Sequence, residues 1–162
     1  METRTAPPAA PFSGVRLPAA PPDREPPRTA PVASPASGVR SVVARNVDTG
    51  EILAGNVRIA DTRVTRALGL MGRRALAPGE ALWIVPSRGV HTWWMRFTID
   101  ILALDADGRI VDLVPDLRPW RVRLPRPGTA GVLEMRAGTL GRSATRLGHR
   151  IVFEPFERGD EI

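Results

Sequence analysis

Cysteine, lysine, tyrosine and glutamine are all missing from this 162-residue chain. Without cysteine there is no disulfide, no thiol nucleophile and no thiolate-held zinc. His91 and His149 are the only imidazoles, and neither stands at a ligand spacing with a second metal-binding side chain. Neither a metal nor a cofactor is therefore expected. Long apolar runs are missing too, and the longest falls far short of the roughly 20 residues a membrane-crossing helix needs, so no span is expected. No phosphate-cradling glycine loop, dinucleotide fingerprint or serine in a nucleophile elbow is found. With lysine absent, all 23 basic residues are arginine; set against 17 acids they leave a net charge of +6. This skew reads as the base composition of the coding genome. A basic balance permits a polyanion partner, but the arginines are interleaved with acids and form no aromatic-basic repeat. No specific nucleic-acid partner is expected.

Proline is abundant but unevenly spread. Residues 1–38 hold ten of the 17 prolines, mixed with alanine, serine and arginine, and no apolar period survives there. A disordered tail is expected over 1–38, followed by a single β-rich domain over 39–162. The prolines interrupt every stretch that could serve as the apolar core of a leader, so a soluble, cytoplasmic chain is expected. Monomer or weak homo-oligomer is the expected state.

The densest apolar segment runs from His91 to Leu113 and carries an Asp107-Gly108 turn, the signature of a β-hairpin. Within it, period two places His91, Trp93, Met95 and Phe97 on one face and Thr92, Trp94, Arg96 and Thr98 on the other. Ile101–Leu104 is apolar without alternation, as in a strand buried on both sides. Further strands are expected at 41–47, 52–60, 81–85, 110–114, 120–124, 131–136 and 150–156. In the fifth of these, Trp120, Val122 and Leu124 would face inward. Asp61 or Thr62 can cap a short helix that places Val64, Leu68 and Met71 on one side. A second helical turn is expected around 140–147. About eight short strands and two small helices, separated by glycine and proline turns, make a mainly β fold: a compact sandwich or a partly closed barrel.

Three segments carry a family resemblance: Arg66-Ala67-Leu68-Gly69-Leu70-Met71-Gly72-Arg73, Trp94-Met95 with Asp100, and Leu133-Glu134 with Gly138. In this order they resemble the prokaryotic family known as domain of unknown function 192, over about residues 52–155. The resemblance implies a small β-rich domain. It implies no chemistry, since the family has no established activity.

Polar or aromatic residues embedded in these motifs and in Pro119-Trp120-Arg121 are the candidates for function: Arg73, Trp94, Arg96, Asp100, Trp120, Arg121 and Glu134. A tryptophan beside a guanidinium can grip a sugar, a base or a carboxylate. On this reading the chain is a binding or accessory module for a small polar or carbohydrate-like ligand, or for a protein partner. The pocket would be floored by Asp100 and Glu134 and closed by Trp120 and Arg121. Two alternatives use the same residues. Asp100 and Glu134 could form the acid/base pair of a hydrolase, which requires both acids to face one cleft. Or Arg73 or Arg96 could pair with Asp100 or Glu134, a purely structural role.

Overall fold

The computed structural model describes residues 41–155, with Arg88 and Pro125 excepted. The expected tail over 1–38 lies outside the described residues, as does the last residue of the strand expected to end at 156. The strands are β1 (Val42–Asn46), β2 (Ile52–Ala60), β3 (Glu80–Ile84), β4 (Val90–His91), β5 (Ile99–Leu104), β6 (Ile110–Leu117), β7 (Val122–Arg123), β8 (Gly131–Arg136) and β9 (Ile151–Pro155). One helix, α1 (Arg63–Leu68), and a 3-10 turn at Leu140–Arg142 complete the elements.

Seven strands form one sheet in the order β6-β5-β8-β3-β2-β1-β9, while β4 and β7 make a separate two-stranded ribbon. Every pairing is antiparallel except β2 with β3, whose parallel register (Val57 opposite Ala81) requires the crossover that contains α1. The two edges of the sheet meet at one end. Ile110 N–H donates to the His149 carbonyl (2.9 Å), and Ile151 N–H donates to the Gly108 carbonyl (2.8 Å). Gly108 has φ +79, and a Cβ there would lie 2.5 Å from the Ile151 carbonyl oxygen, so both backbone and space demand glycine at the seam. The architecture is the partly closed barrel among the two expected.

Strand alternation separates two cores. Leu102, Leu104, Leu133 and Met135 belong to a cluster that draws on β1, β2, β3 and β9 as well. Ile99, Ile101 and Val132 face the other way, into a cluster with Leu82, Ile84, Leu70, Leu76 and Met95. All six residues of β5 are buried, as its unbroken apolar run implies. The hairpin turn is where the sequence places it. Asp105 Oδ1 accepts from Asp107 N–H (2.9 Å) and Arg109 N–H (2.8 Å), closing the chain between β5 and β6.

Three local expectations are corrected. Residues 92–98 form no strand: Met95 N–H bonds back to the Thr92 carbonyl (3.3 Å) in a turn, so the period-two assignment of Trp94 and Arg96 to one strand face fails. Trp120, Val122 and Leu124 do not face inward. They are exposed, because β7 is two residues long and pairs only with β4, outside the seven-stranded sheet. The helix α1 buries none of its residues; Val64 and Leu68 are exposed, and the sheet is covered instead by Leu70 and Leu76 just beyond the helix.

A buried carboxyl at the floor of a cleft

Strand β8 runs between β5 and β3, and its register sets Glu134 opposite Ile101 on one side and Leu82 on the other. Its neighbours on that face are therefore the aliphatic side chains of the second core. Only 3 % of Glu134 is exposed, and its Oε2 atom has no hydrogen-bond partner among the described residues. Withdrawal from water penalises the charged form, and with nothing to offset that penalty the carboxyl is pushed up to about 8. At neutral pH the group is largely a protonated acid, able to donate one hydrogen bond and to accept others.

Glu134 is not enclosed by packing alone. It lines a cleft of about 290 Å³ whose other walls come from the segment 66–71, the end of β3, Pro86 and Ser87, Gly89 to His91, and Met95. Two local structures hold these walls. Thr62 and Thr65 cap α1 reciprocally, the Thr62 hydroxyl accepting from Thr65 N–H and the Thr65 hydroxyl accepting from Thr62 N–H (both 3.1 Å). Gly69, at φ +47, then stops the helix and turns the chain so that Leu70 enters the core. The lining is mixed. Leu68, Leu70, Met71, Ile84, Val90 and Met95 give apolar surface, while Arg66, Ser87 and His91 bring polar groups.

Of the seven sequence candidates, Glu134 alone lines this cleft. Asp100 pairs in register with Met135, one residue along β8, and so lies on the opposite face of the sheet. The two acids consequently share no cleft, and the geometry of an Asp100/Glu134 acid/base pair is not formed. Asp100 is fully buried and satisfied by backbone donors: Oδ1 accepts from Asp116 N–H (2.9 Å) and Oδ2 from Leu140 N–H (2.8 Å). Arginine pairing with these acids is likewise corrected. Arg73 bonds Glu80 (3.2 Å), whose own carboxyl is held below the usual range by the Ala77 N–H and by Arg73. Arg96 is exposed and has no carboxylate partner among the described residues.

Trp94 and Trp120 do come together, as an edge-to-face pair with ring centroids 4.9 Å apart. Both are exposed and both have positive φ, 62° and 60°, a conformation that costs a bulky side chain on the order of 1–3 kcal/mol. Arg121 lies beside them and donates to the Trp120 carbonyl (3.2 Å).

The cleft also takes in Arg66, Leu68, Met71, Ser87, His91 and Met95, none of which stands out as a candidate in the sequence. Four of them lie in the motif segments. Arg66, Leu68 and Met71 lie in the first motif and Met95 in the second.

A partly closed β-barrel with a carboxyl-floored cleft thus gathers all three motif segments. The chain belongs to the family described as "Uncharacterized ACR, COG1430", domain of unknown function 192, which matches residues 44–153. Among its relatives is a UPF0127 protein of Thermococcus sibiricus, 31% identical over 125 residues, covering 72% of this chain and 78% of that one. Another UPF0127 protein, from Pyrococcus horikoshii, is 38% identical over 86 residues, 49% of this chain and 71% of its own. A crystal structure from Sinorhizobium meliloti 1021, whose name assigns it provisionally to transcription regulation, superposes with a TM-score of 0.63 at 25% identity, over 72% of this chain and 94% of that one. A second, from Novosphingobium aromaticivorans, has a TM-score of 0.61 at 22% identity and shares the fold.

Proposed function

We propose that this domain is a binding module for a small polar ligand, carbohydrate-like or amide-bearing, seated in the cleft over Glu134. One observation carries the reading: Glu134, a buried carboxyl with one oxygen lacking a partner among the described residues, lines a cleft large enough for a small molecule. Leaving such an atom unpaired costs about 1–3 kcal/mol, which a ligand hydroxyl or amide returns on binding. A neutral carboxyl suits an uncharged group that both donates and accepts. The apolar walls suit the carbon skeleton behind it, and Arg66 and His91 offer further polar contacts toward the opening. The meeting of all three motif segments at this cleft supports the same reading, because Arg66 to Met71, Met95 and Glu134 are distant in sequence.

The helices among the described residues do not support a regulator role like the one that the Sinorhizobium chain's name suggests. The one α-helix among the described residues is six residues long and buries nothing, so no recognition-helix pair is formed there.

A thermal-shift screen of neutral sugars, polyols and primary amides tests the reading against wild type and Glu134→Leu. At least one compound class is expected to raise the wild-type melting temperature and to lose that effect in the variant. Equal shifts in both proteins would place the ligand elsewhere and contradict it.

A further inference from the structure

Ten large hydrophobic side chains are exposed among the described residues, and five of them (Trp93, Trp94, Trp120, Val122 and Leu124) come from two short stretches. These stretches are fastened to each other. His91 pairs with Val122 in the β4–β7 ribbon, and Thr92, which has no exposed surface, binds the second stretch with every polar group it has. Its N–H donates to the Arg121 carbonyl (2.8 Å), and its carbonyl accepts from Trp120 N–H (3.0 Å). Its hydroxyl donates to the Arg118 carbonyl (2.8 Å) and accepts from Arg121 N–H (2.9 Å). This anchoring fixes Trp94 and Trp120 in their left-handed backbone conformation and keeps both indoles outside the core. A fold that sustains two such residues merely to expose them gains nothing from their burial.

The charge around the indoles is predominantly positive, with exposed Asp116 just before the second stretch. Residues 89–97 and 117–130 contain Arg96, Arg118, Arg121, Arg123 and Arg126 and no acid. Asp112 engages Arg123 (2.8 Å) and, more loosely, Arg126 (3.8 Å). Arg96, Arg118 and Arg121 are exposed with no carboxylate partner among the described residues.

We infer that this face is a docking surface for an anionic phospholipid membrane, with Trp94 and Trp120 entering the headgroup layer and Arg96, Arg118 and Arg121 meeting lipid phosphates. Indoles partition to the membrane–water interface, and each arginine near an anionic surface adds attraction. Charge complementarity alone would also admit single-stranded nucleic acid, but base stacking needs accessible ring faces. Here the two indoles meet edge to face at 64°, each covering part of the other. Val122 and Leu124 extend the face with aliphatic surface, for which a bilayer has use and a phosphate backbone has none. No helix of the described residues is long and apolar enough to cross a membrane, and a contact of this kind needs none.

Co-sedimentation of the full chain tests this with two vesicle compositions, phosphatidylcholine alone and phosphatidylcholine with about a third phosphatidylglycerol. The wild type is expected to pellet with the anionic vesicles and to stay in solution with the neutral ones. Arg96→Glu/Arg121→Glu and Val122→Ser/Leu124→Ser should each lower the partition coefficient about tenfold or more. All four side chains are exposed, and unchanged circular dichroism is the control for folding. Glu134→Leu should partition as wild type does, which separates this surface from the cleft. Failure of the wild type to partition, or partition that neither double variant weakens, would overturn the inference. So would retention on polyglutamate or single-stranded RNA without vesicle binding, which would assign the face to a macromolecular polyanion.

Discussion

Glu134 and Asp100 show how far environment decides what a carboxyl does. Both are buried on adjacent central strands, 3 % and 0 % exposed. Asp100 meets two backbone N–H groups and is fully used; Glu134 meets aliphatic side chains on its own strand face and a cleft. The consequence for stability has a definite sign. A carboxyl raised from 4.5 to about 8 keeps its proton in the native state over a range where the unfolded chain has released it. Glu134 therefore makes stability fall as pH rises from about 4.5 to about 8, with no contribution to the slope on either side of that window. Glu134→Gln, which stays neutral, should remove this slope. Chemical denaturation across the window is expected to show the variant gaining on wild type by an amount on the order of a few kcal/mol. Parallel curves for the two proteins would mean that Glu134 is ionised at low cost.

Among the elements, Asp100 acts as a fastener. From the buried strand β5 it holds the Asp116 backbone in β6 and the first residue of the 3-10 turn, so three parts of the chain share one side chain. Asp100→Ala should cost about 2–5 kcal/mol by leaving buried donors unpaired. Arg96→Ala should stay within about 0.5 kcal/mol, since its exposed guanidinium pairs with no acid of the described residues. Urea unfolding of the two variants checks both; a large loss from Arg96→Ala would restore the internal ion pair that the sequence suggested. Composition points that way, because with lysine absent arginine supplies every fixed positive charge and both acids sit in apolar runs. Sequence spacing could not reveal that Asp100 is satisfied by main-chain groups, which leave no mark in side-chain pattern. Elements with strong local signals were legible: the β5–β6 hairpin, the capped start of α1 and the fully buried β5. The Trp93-Trp94 stretch was not. Period-two alternation fitted it well, but the hydrogen bonds from Thr92 to a segment almost 30 residues later impose a turn instead.

At the scale of the whole molecule, barrel closure decides which residues meet. Edge strands β6 and β9 join through Gly108 and Ile151, enclosing one core, and the outer face is left to be covered by the segments after β2 and around β4. The three motifs were visible in the sequence, and so was a barrel or sandwich. Their convergence was not, because it depends on strand order: β8 inserts between β5 and β3, and only that arrangement sets Glu134 beneath Arg66 to Met71 and Met95. The single parallel pair, β2 with β3, is equally hidden, since a crossover and a long loop look alike in one sequence. Glu134 accordingly stands at the cleft as a protonated carboxyl with one oxygen lacking a partner among the described residues. NMR of the Glu134 side-chain carboxyl carbon through a pH titration, with Glu134→Gln assigning the resonance, reads this protonation state. A midpoint of about 8 is expected, whereas a midpoint near 4.5, the ordinary value for glutamate, would mean that the group is ionised at neutral pH and is no neutral partner for a ligand.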